Sequence, residues 1–464
     1  MDIDFLFLAA FIATLVGILL LAWGKKSKAH NSSEFSLSGR QAGGWNVFGA
    51  ITGTLVGGAS TIGTAQLAFM YGLSAWWFTL GAGLACLFLG LFLAAPLRRG
   101  NVVTIPEFIA RYYGPRARMV ASLYLTLGMF IQIVAQLLAC GAILAVLFGL
   151  PLWLSASISA LLVVLFTLGG GMKSAGLTGL IKMLLIYVTM LAAGWLALRL
   201  AGGWSGLCEN FTTFPWFSLF GYGVKEGISD LASMLVGVVS TQTYLQAVFS
   251  ASSEQSARKG AFLSAAIIPP LGLLGILVGL SMRLSHPQLE SALALPTFIL
   301  ENFPQLFAGV AFATLLIAAV GTASGLALGV ATTLKIDLLG HFDTRTEGLF
   351  FFRGVTVLVV FAAYLLLLGN LGSAIMDWSF LSMGLRGATL FFPLLFAIFL
   401  NRFPLQRAGA LAIFVAPACV VAAGMLHLEL LPPLYIGLLI SLLILTAGII
   451  RRTRRSGGNH SPSI

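Results

Sequence analysis

Apolar stretches of about twenty residues recur along the whole chain and are separated by short polar segments. A helix of about twenty apolar residues crosses the hydrocarbon core of a bilayer, where the backbone must satisfy its own hydrogen bonds. The pattern therefore predicts an all-α polytopic membrane protein with about thirteen transmembrane helices. The predicted spans are 3–23, 45–70, 74–97, 117–148, 151–170, 175–199, 228–249, 261–283, 305–334, 351–369, 373–400, 408–426 and 432–450.

Composition supports a membrane protein. Hydrophobic residues make up 59% of the 464 residues, only 9% are charged, and the mean hydropathy is +0.99. The net charge of +11 does not indicate nucleic-acid binding, because the cations lie in short runs between the apolar spans, as in cytoplasmic loops. These runs are Lys25, Lys26 and Lys28; Arg98 and Arg99; Arg111, Arg116 and Arg118; Arg258 and Lys259; Arg345 and Arg353; Arg402 and Arg407; and Arg451 to Arg455.

The same runs predict the topology. An odd number of spans puts the two termini on opposite sides, and the basic segment 451–455 is expected in the cytoplasm. The N-terminus is then outside and the C-terminus inside, in the cell (inner or plasma) membrane. The first span lacks a signal-peptide cleavage site and is expected to be retained. The four cysteines are isolated and indicate neither a metal site nor a disulfide framework.

Two spans carry clusters of small residues. The second span contains Gly53, Gly57, Gly58 and Gly63, and the ninth contains the segment 321–325, Gly-Thr-Ala-Ser-Gly. Small residues let neighbouring helices approach closely. Alternatively, both helices are discontinuous and line a site, since unwound backbone is tolerated at membrane depth only beside protein or water. The two clusters together favour discontinuous helices.

Four stretches occur in an order that resembles the sodium:solute symporter family. FSLSGR (35–40) resembles the entry to the first core helix, and GGASTIGTAQ (57–66) resembles its unwound stretch. TIPEFIARYYG (104–114) resembles the cytoplasmic signature, and 318–337 resembles the eighth core helix with its terminal aspartate. The resemblance implies a carrier that couples a cation gradient, normally sodium, to the movement of a small solute.

The resemblance also implies an architecture of two inverted repeats of five helices, with one helix before them and two after. The first helix and a cytoplasmic loop would occupy 1–43, and the first repeat 44–199. An extracellular loop would occupy 200–227 and the second repeat 228–400. Two peripheral helices and a basic tail would form 401–464.

A sodium site is implied between the first and eighth core helices. Its ligands would be the carbonyls of Ala59, Ile62 and Ala318 and the hydroxyl of Thr322. Gly321 stands where the family has a second hydroxyl, so one expected oxygen is missing.

The fifth core helix departs further from the family. Gly179 replaces an acidic residue and Lys182 replaces a glutamine near the sodium exit route. An ammonium there would compete with sodium, and it could also bind and release a proton, so both Na⁺ and H⁺ remain candidates for the coupling ion. Alternatively, Lys182 extends its charge to water at the end of the helix.

The substrate cavity is expected between the first, second, third, sixth and tenth core helices. Candidate polar or aromatic lining residues are Gln66, Trp76, Gln132, Gln136, Thr241 and Gln242. Each glutamine or threonine could instead join two helices, and Trp76 could instead belong to an aromatic belt at the membrane interface. Arg386 lies deep in an apolar span, where a cation costs at least ~2.5 kcal/mol and normally faces a partner. It would bind a carboxylate on the solute or pair with an acid on another helix.

The leading hypothesis is a secondary active transporter of a small organic solute. A channel would show a filter motif or a continuous polar stripe, and the sequence shows neither. An enzyme would show clustered catalytic groups at depth, but all five histidines lie in loops or at span ends. The alternatives left open are a proton-coupled or sodium-independent carrier of the same fold, and a transporter-like sensor.

Overall fold

Helices form nearly all of the described structure. The computed structural model describes residues 4–23, 40–169, 172–338, 345–401, 403, 405–426 and 431–457. The helices are α1 Phe5–Trp23, α2 Gly44–Leu55, α3 Thr64–Tyr71, α4 Trp77–Phe88, α5 Ala94–Arg99, α6 Ile105–Tyr113, α7 Pro115–Phe148, α8 Leu152–Gly169, α9 Met172–Leu200, α10 Gly203–Asn210, α11 Thr213–Trp216, α12 Val224–Val238, α13 Gln242–Phe249, α14 Glu254–Ser285, α15 Ala294–Asn302, α16 Gln305–Thr333, α17 Arg345–Leu368, α18 Ile375–Phe399, α19 Gln406–Met425 and α20 Pro433–Gly457. Short π-helical segments lie at Ala59–Gly63, Leu89–Leu93 and Leu334–Leu338.

Eight helical stretches within the described residues are long and apolar enough to cross a membrane, or nine if the bent pair α12–α13 is one span. Three shorter apolar helices lie within α1, α8 and α17. The all-α membrane class is therefore confirmed. The number of about thirteen spans, the division into two five-helix repeats and the segment boundaries stay predictions.

The interior of the bundle is built around α7 and α16, which pack against each other and are among its most buried helices. Helix α18 packs against α7, while α9 and α14 pack against α2. By contrast, α19 and α20 bury much less of their surface, as expected for helices that face lipid.

The second predicted span is broken as expected. Helix α2 ends at Leu55, Val56 is extended, and the chain resumes as the π-helical segment Ala59–Gly63. A Cβ atom on Gly57 would lie 2.5 Å from the Thr322 hydroxyl, and one on Gly58 would lie 2.3 Å from a methyl group of α7. Glycine is therefore required here because the backbone passes close to both α7 and α16.

The ninth predicted span is not broken, and the expectation of a discontinuous helix there was wrong. Helix α16 runs without interruption from Gln305 to Thr333. Its small residues serve close packing instead: a Cβ on Gly325 would lie 2.6 Å from Thr54, and one on Gly329 would lie 2.8 Å from Thr243.

A second break lies where the sequence did not suggest one. Helices α12 and α13 meet at an angle of 41° across residues 239–241. Thr241 is extended (φ −95°, ψ 123°), and its hydroxyl donates to Gly237 O at 2.6 Å. The intervening Val239-Ser240-Thr241 contains neither glycine nor proline, so the usual sequence signal of a break is missing.

The predicted cytoplasmic signature forms helix α6 and its cap. Thr104 Oγ1 accepts from Glu107 N at 3.1 Å, while Glu107 Oε2 accepts from Val103 N at 2.8 Å, so two backbone donors at the start of α6 are satisfied. Thr104 and Arg118 also donate to Asp337 Oδ1, at 2.9 and 2.7 Å. Asp337 therefore ties the end of α16 to α6 and α7.

Candidate cation and solute sites

A lysine ammonium lies at the predicted cation position. Lys182 on α9 is 5% exposed. Its Nζ donates to Gly53 O at 2.6 Å, to Ala318 O at 2.9 Å and to Thr322 Oγ1 at 3.1 Å. The ammonium has three N–H donors and finds three oxygens, so its hydrogen-bonding capacity is filled. We call Lys182 with these three residues the lysine site.

The broken helix supplies one of these oxygens. The last carbonyls of a helix have no partner within it and carry the negative end of the helix dipole. Because α2 ends at Leu55, Gly53 lies in its last turn, and its carbonyl is free to accept from the ammonium. The break in the second span thus creates a partner for a buried cation.

Gly179 brings the lysine within reach. A Cβ on Gly179 would lie only 1.9 Å from Gly49 O, so α9 lies directly against the backbone of α2. Lys182 is three residues further along α9, on the same side of the helix. The glycine that replaces the expected acid therefore permits the contact between Lys182 and Gly53.

Two of the four predicted sodium ligands belong to the lysine site. Ala318 and Thr322 both contact the ammonium, whereas Ala59 and Ile62 lie in the buried π-helical segment that follows the break. At Gly321, a Cβ would meet nothing within 4 Å, so the position of the missing hydroxyl is open space. In this arrangement the residues do not fit a bound sodium ion, because an ammonium already takes two of its expected oxygens.

The alternative that Lys182 extends to water at the helix end was wrong. Its Nζ is held between α2 and α16, because three oxygens there replace its hydration. The Lys182 side chain forms no ion pair with another described residue. Neutral oxygens alone therefore compensate the buried charge.

A second buried cation lies on α18. Arg386 is fully buried, with Nε donating to Ser382 O at 3.0 Å and Nη2 donating to Ser382 Oγ at 2.6 Å. Its Nη1 donates to Thr241 Oγ1 at 2.8 Å, and the Tyr244 hydroxyl also interacts with the guanidinium. The α12–α13 break thus presents Thr241 to the arginine.

Gln132 on α7 extends this group of polar residues. Its Nε2 donates to Ser379 Oγ at 2.9 Å, and its buried Oε1 accepts no hydrogen bond from the part of the chain that the structure describes. A Cβ on Gly128, one turn earlier on α7, would lie 2.5 Å from Arg386 Cγ, so the helix passes close to the arginine. We call Gln132, Thr241, Ser379, Ser382 and Arg386 the arginine cluster.

The charge of Arg386 is not balanced by an acid among the described residues. Its partners among the described residues are hydroxyls, a carbonyl and the Met383 sulfur. The alternative of pairing with an acid on another helix was therefore wrong. A buried guanidinium with neutral partners is suited to receive an anion.

The remaining candidates are divided between other places. Gln136 lies beside the lysine site, where its Oε1 accepts from Gly58 N at 2.8 Å. Gln66 Oε1 accepts from Ile375 N at 3.0 Å, at the first residue of α18. Trp76 Nε1 donates to Pro269 O at 2.9 Å.

Gln242 uses both ends of its amide on the backbone before α6: Oε1 accepts from Ile105 N at 2.9 Å, and Nε2 donates to Val103 O at 3.2 Å. Gln66, Trp76 and Gln242 thus join separate segments of the bundle. None of the three is part of the arginine cluster in this conformation, because their polar groups form hydrogen bonds elsewhere.

Sequence reasoning missed Gly53, Ser379 and Ser382. The two serines lie seven and four residues before Arg386 on α18, so helical spacing alone could have placed them on its face. Gly53 contributes only a carbonyl, which no side-chain pattern reveals.

Broken helices around buried polar sites are typical of secondary transporters. The chain is a member of the sodium:solute symporter family, which matches residues 35–416. The family and its relatives are transporters rather than enzymes. This confirms the family predicted from the four motifs.

Three curated relatives represent different solutes. The high affinity choline transporter 1 of Homo sapiens is 29% identical over 278 residues, which cover 57% of this chain and 47% of the relative. A sodium/glucose cotransporter of Vibrio parahaemolyticus is 20% identical, with 75% and 70% covered. A monocarboxylate transport permease protein of Rhizobium johnstonii is 27% identical, with 71% and 70% covered. The chain therefore spans about half the length of the choline transporters it matches.

Solved structures share the fold. A Na⁺-coupled sialic acid symporter in a substrate-bound outward-open state has a TM-score of 0.78 at 18% identity, with 97% of both chains covered. A nucleobase-cation-symport-1 family transporter in a closed conformation has a TM-score of 0.59 at 14% identity, covering 90% of this chain and 94% of that one. Family membership supports sodium as the coupling ion.

Proposed function

We propose that this protein is a secondary active transporter that moves a small organic acid across the membrane by alternating access. The observation that carries the proposal is the fully buried guanidinium of Arg386, whose partners among the described residues are neutral. Such a cation favours an anionic solute.

The interaction energy with Arg386 differs in sign between the anionic and cationic solutes for which the relatives are named. At a separation of about 4 Å and an effective dielectric constant of about 20, two unit charges interact by roughly 4 kcal/mol. For a carboxylate beside Arg386 this energy is attractive, although desolvation offsets part of it. For a quaternary ammonium such as choline it is repulsive. A cationic solute is therefore disfavoured at the arginine cluster by up to a thousandfold.

The arginine cluster offers the geometry for a carboxylate. A guanidinium matches a carboxylate in bidentate contact. In this conformation Nη1 and Nη2 of Arg386 donate instead to the hydroxyls of Thr241 and Ser382. A solute carboxylate would take the place of these weaker hydroxyl acceptors. The unpartnered Gln132 Oε1 would accept from a hydroxyl on the same solute.

The cluster is closed to solvent in this conformation, since Arg386 is 0% and Gln132 3% exposed. A solute reaches it only if the helices around it move. The α12–α13 break lies at the cluster and would serve as a hinge there, because Ser240 N and Thr241 N donate only to the turn carbonyls of Gly237 and Val238. Alternating access would open the cluster to one side of the membrane at a time.

Relatives are consistent with an acid. The Rhizobium johnstonii relative is a monocarboxylate transport permease by name, and it is covered over 70% of its length. The choline transporters are matched over only 47% of theirs. An acid such as lactate or pyruvate is therefore our first choice of solute.

Two coupling modes are proposed. The family supports a sodium-coupled symporter. The second candidate is a sodium-independent carrier of the same fold, driven by a proton gradient or by the solute gradient alone. The ammonium at the lysine site favours this second candidate.

Uptake into proteoliposomes tests the proposal. The purified full chain is reconstituted, and labelled lactate, pyruvate, proline, glucose and choline are offered under imposed sodium or proton gradients. We expect uptake of an acid and no uptake of choline. Arg386→Lys should raise the half-saturation concentration, because a point charge replaces a bidentate donor, and Arg386→Ala should nearly abolish uptake.

The exposed Arg407 on α19 supplies a matched control, and Arg407→Ala should transport like the wild type. Monodisperse elution of each variant from a size-exclusion column shows that it is folded. High-affinity uptake of glucose or choline, or acid uptake that survives Arg386→Ala, would contradict the proposal.

A further inference from the structure

The geometry points to Lys182 as a built-in cation: its ammonium replaces the sodium ion at the position between α2 and α16, so that this chain binds no sodium there. The inference rests on the proposed transporter function, but it does not depend on which solute is carried.

The first argument is occupancy. The Nζ atom lies 2.9 Å from Ala318 O and 3.1 Å from Thr322 Oγ1, two of the oxygens expected to bind sodium. At an effective dielectric constant of about 20, repulsion by the ammonium about 3 Å away would lower the affinity for a second unit cation by roughly several thousandfold. Sodium and the ammonium therefore exclude each other.

The second argument is that three departures from the family pattern act together. Lys182 supplies the charge, and Gly179 lets α9 approach Gly49 closely enough for that charge to reach the site. Gly321 removes an oxygen that only a free ion would need, and leaves open space in its place. Each change alone would weaken a sodium site, whereas together they replace the ion by a side chain.

The third argument concerns charge balance. The titratable group that faces Lys182 from the helices packed around it is the Cys140 thiol on α7, which is fully buried. No carboxylate contacts the ammonium within the described residues. The site thus carries the charge of one cation, as a sodium site with neutral ligands would.

A tethered cation has a consequence for coupling. Sodium can enter from one side of the membrane and leave on the other, whereas Lys182 stays attached to α9. In this conformation it links α9 to α2 and α16 through three hydrogen bonds. The position therefore draws no energy from a sodium gradient, and its contribution is to hold these helices together.

Direct sodium binding tests the inference without any solute. Binding of ²²Na⁺ to the purified full chain is measured by equilibrium dialysis, together with the apparent Tm in sodium and in potassium chloride. We expect no saturable binding and equal Tm values for the wild type, because an ion that binds only the folded state would raise its Tm.

The variant Lys182→Ala combined with Gly321→Ser removes the ammonium and restores the missing hydroxyl in open space. We expect it to gain saturable binding that approaches about one sodium ion per chain, and a Tm that is higher in sodium than in potassium. Lys259→Gln, at an exposed lysine on α14, is the matched control and should behave like the wild type.

Saturable binding of sodium to the wild type that is unchanged in Lys182→Ala would overturn the inference. So would a double variant that elutes as a monodisperse protein and still binds no sodium, because the ammonium would then not be what excludes the ion. Neither result bears on Arg386, so failure of this inference is distinguishable from failure of the proposed acid transport.

Discussion

Gly179→Ala is the sharpest structural perturbation of the lysine site. The added Cβ would lie 1.9 Å from Gly49 O, whereas ordinary contact begins at 3.4 Å, so α9 must move away from α2 by about 1.5 Å. The Lys182 Nζ to Gly53 O distance of 2.6 Å would then approach 4 Å and the hydrogen bond would be lost.

The cost can be worked out from these contacts. Overpacking of a close helix contact costs about 1–3 kcal/mol, and loss of a hydrogen bond to a charged group costs about 1.5–3 kcal/mol. We therefore expect Gly179→Ala to destabilise the protein by about 2.5–6 kcal/mol in total. Part of this loss of stability is the lost hydrogen bond of Lys182. Gly179→Ala should therefore destabilise a Lys182→Ala protein less than the wild type, and the effects of the two substitutions should not be additive.

Thermal unfolding of the purified protein in detergent provides the assay. Gly354→Ala on α17 and Gly321→Ala on α16 are matched controls, because a Cβ at either position meets nothing within 4 Å. Both should leave the apparent Tm unchanged or raise it slightly, as alanine favours a helix over glycine. If the Gly179→Ala protein had the same apparent Tm as these controls, the close approach of α9 to α2 would be refuted.

Three further predictions follow from the contacts. Thr322→Val removes one of the three acceptors of a buried ammonium while keeping the shape of the side chain. The apparent Tm should therefore fall further than in the control Thr332→Val, which changes a second buried threonine of α16. Equal falls in Tm would contradict the lysine site. The predicted topology places the exposed Cys208 outside, so a membrane-impermeant maleimide should label it in intact cells, whereas Gln255→Cys in a Cys208→Ser chain should need permeabilised cells; the reverse would invert the topology. Burial raises the pKa of Asp337 to about 6, with the Arg118 guanidinium and Thr104 opposing that rise. The folded state then holds this proton more tightly than the unfolded chain, so its stabilising effect is present at low pH and lost as the pH rises through about 6. Asp337→Asn should accordingly show less loss of apparent Tm between pH 5 and 7.5 than the wild type, and an identical pH profile would contradict it.

The sequence predicted those features that local chemistry decides. Glycines at 57 and 58 indicated the break after α2, because only glycine allows the backbone to pass so close to two helices. The depth of Arg386 followed from the apolar residues around it. The motifs around Thr104 and Asp337 were joined by a hydrogen bond that their order in the chain could not reveal.

Features that depend on tertiary contacts were predicted poorly. Glycine has a different effect in the two spans: the second span is broken at Gly57, whereas Gly325 lets an unbroken α16 pack against Thr54. The effect depends on the neighbouring helix, which the sequence does not show. Lys182 could extend to water or turn inward, and the choice depends on how closely Gly179 approaches α2. The α12–α13 break was missed because residues 239–241 contain neither glycine nor proline.

Solute counterflow in proteoliposomes tests the central claim most directly, since it requires alternating access but no ion gradient. Vesicles that hold the reconstituted chain are loaded with unlabelled lactate or pyruvate and diluted into a trace of the labelled acid, once in sodium chloride and once in potassium chloride. We predict a transient accumulation of label in both salts that is lost in Arg386→Ala. Absence of accumulation for every acid tested, or accumulation of choline instead, would contradict an acid carrier, and accumulation in sodium chloride alone would contradict a built-in cation.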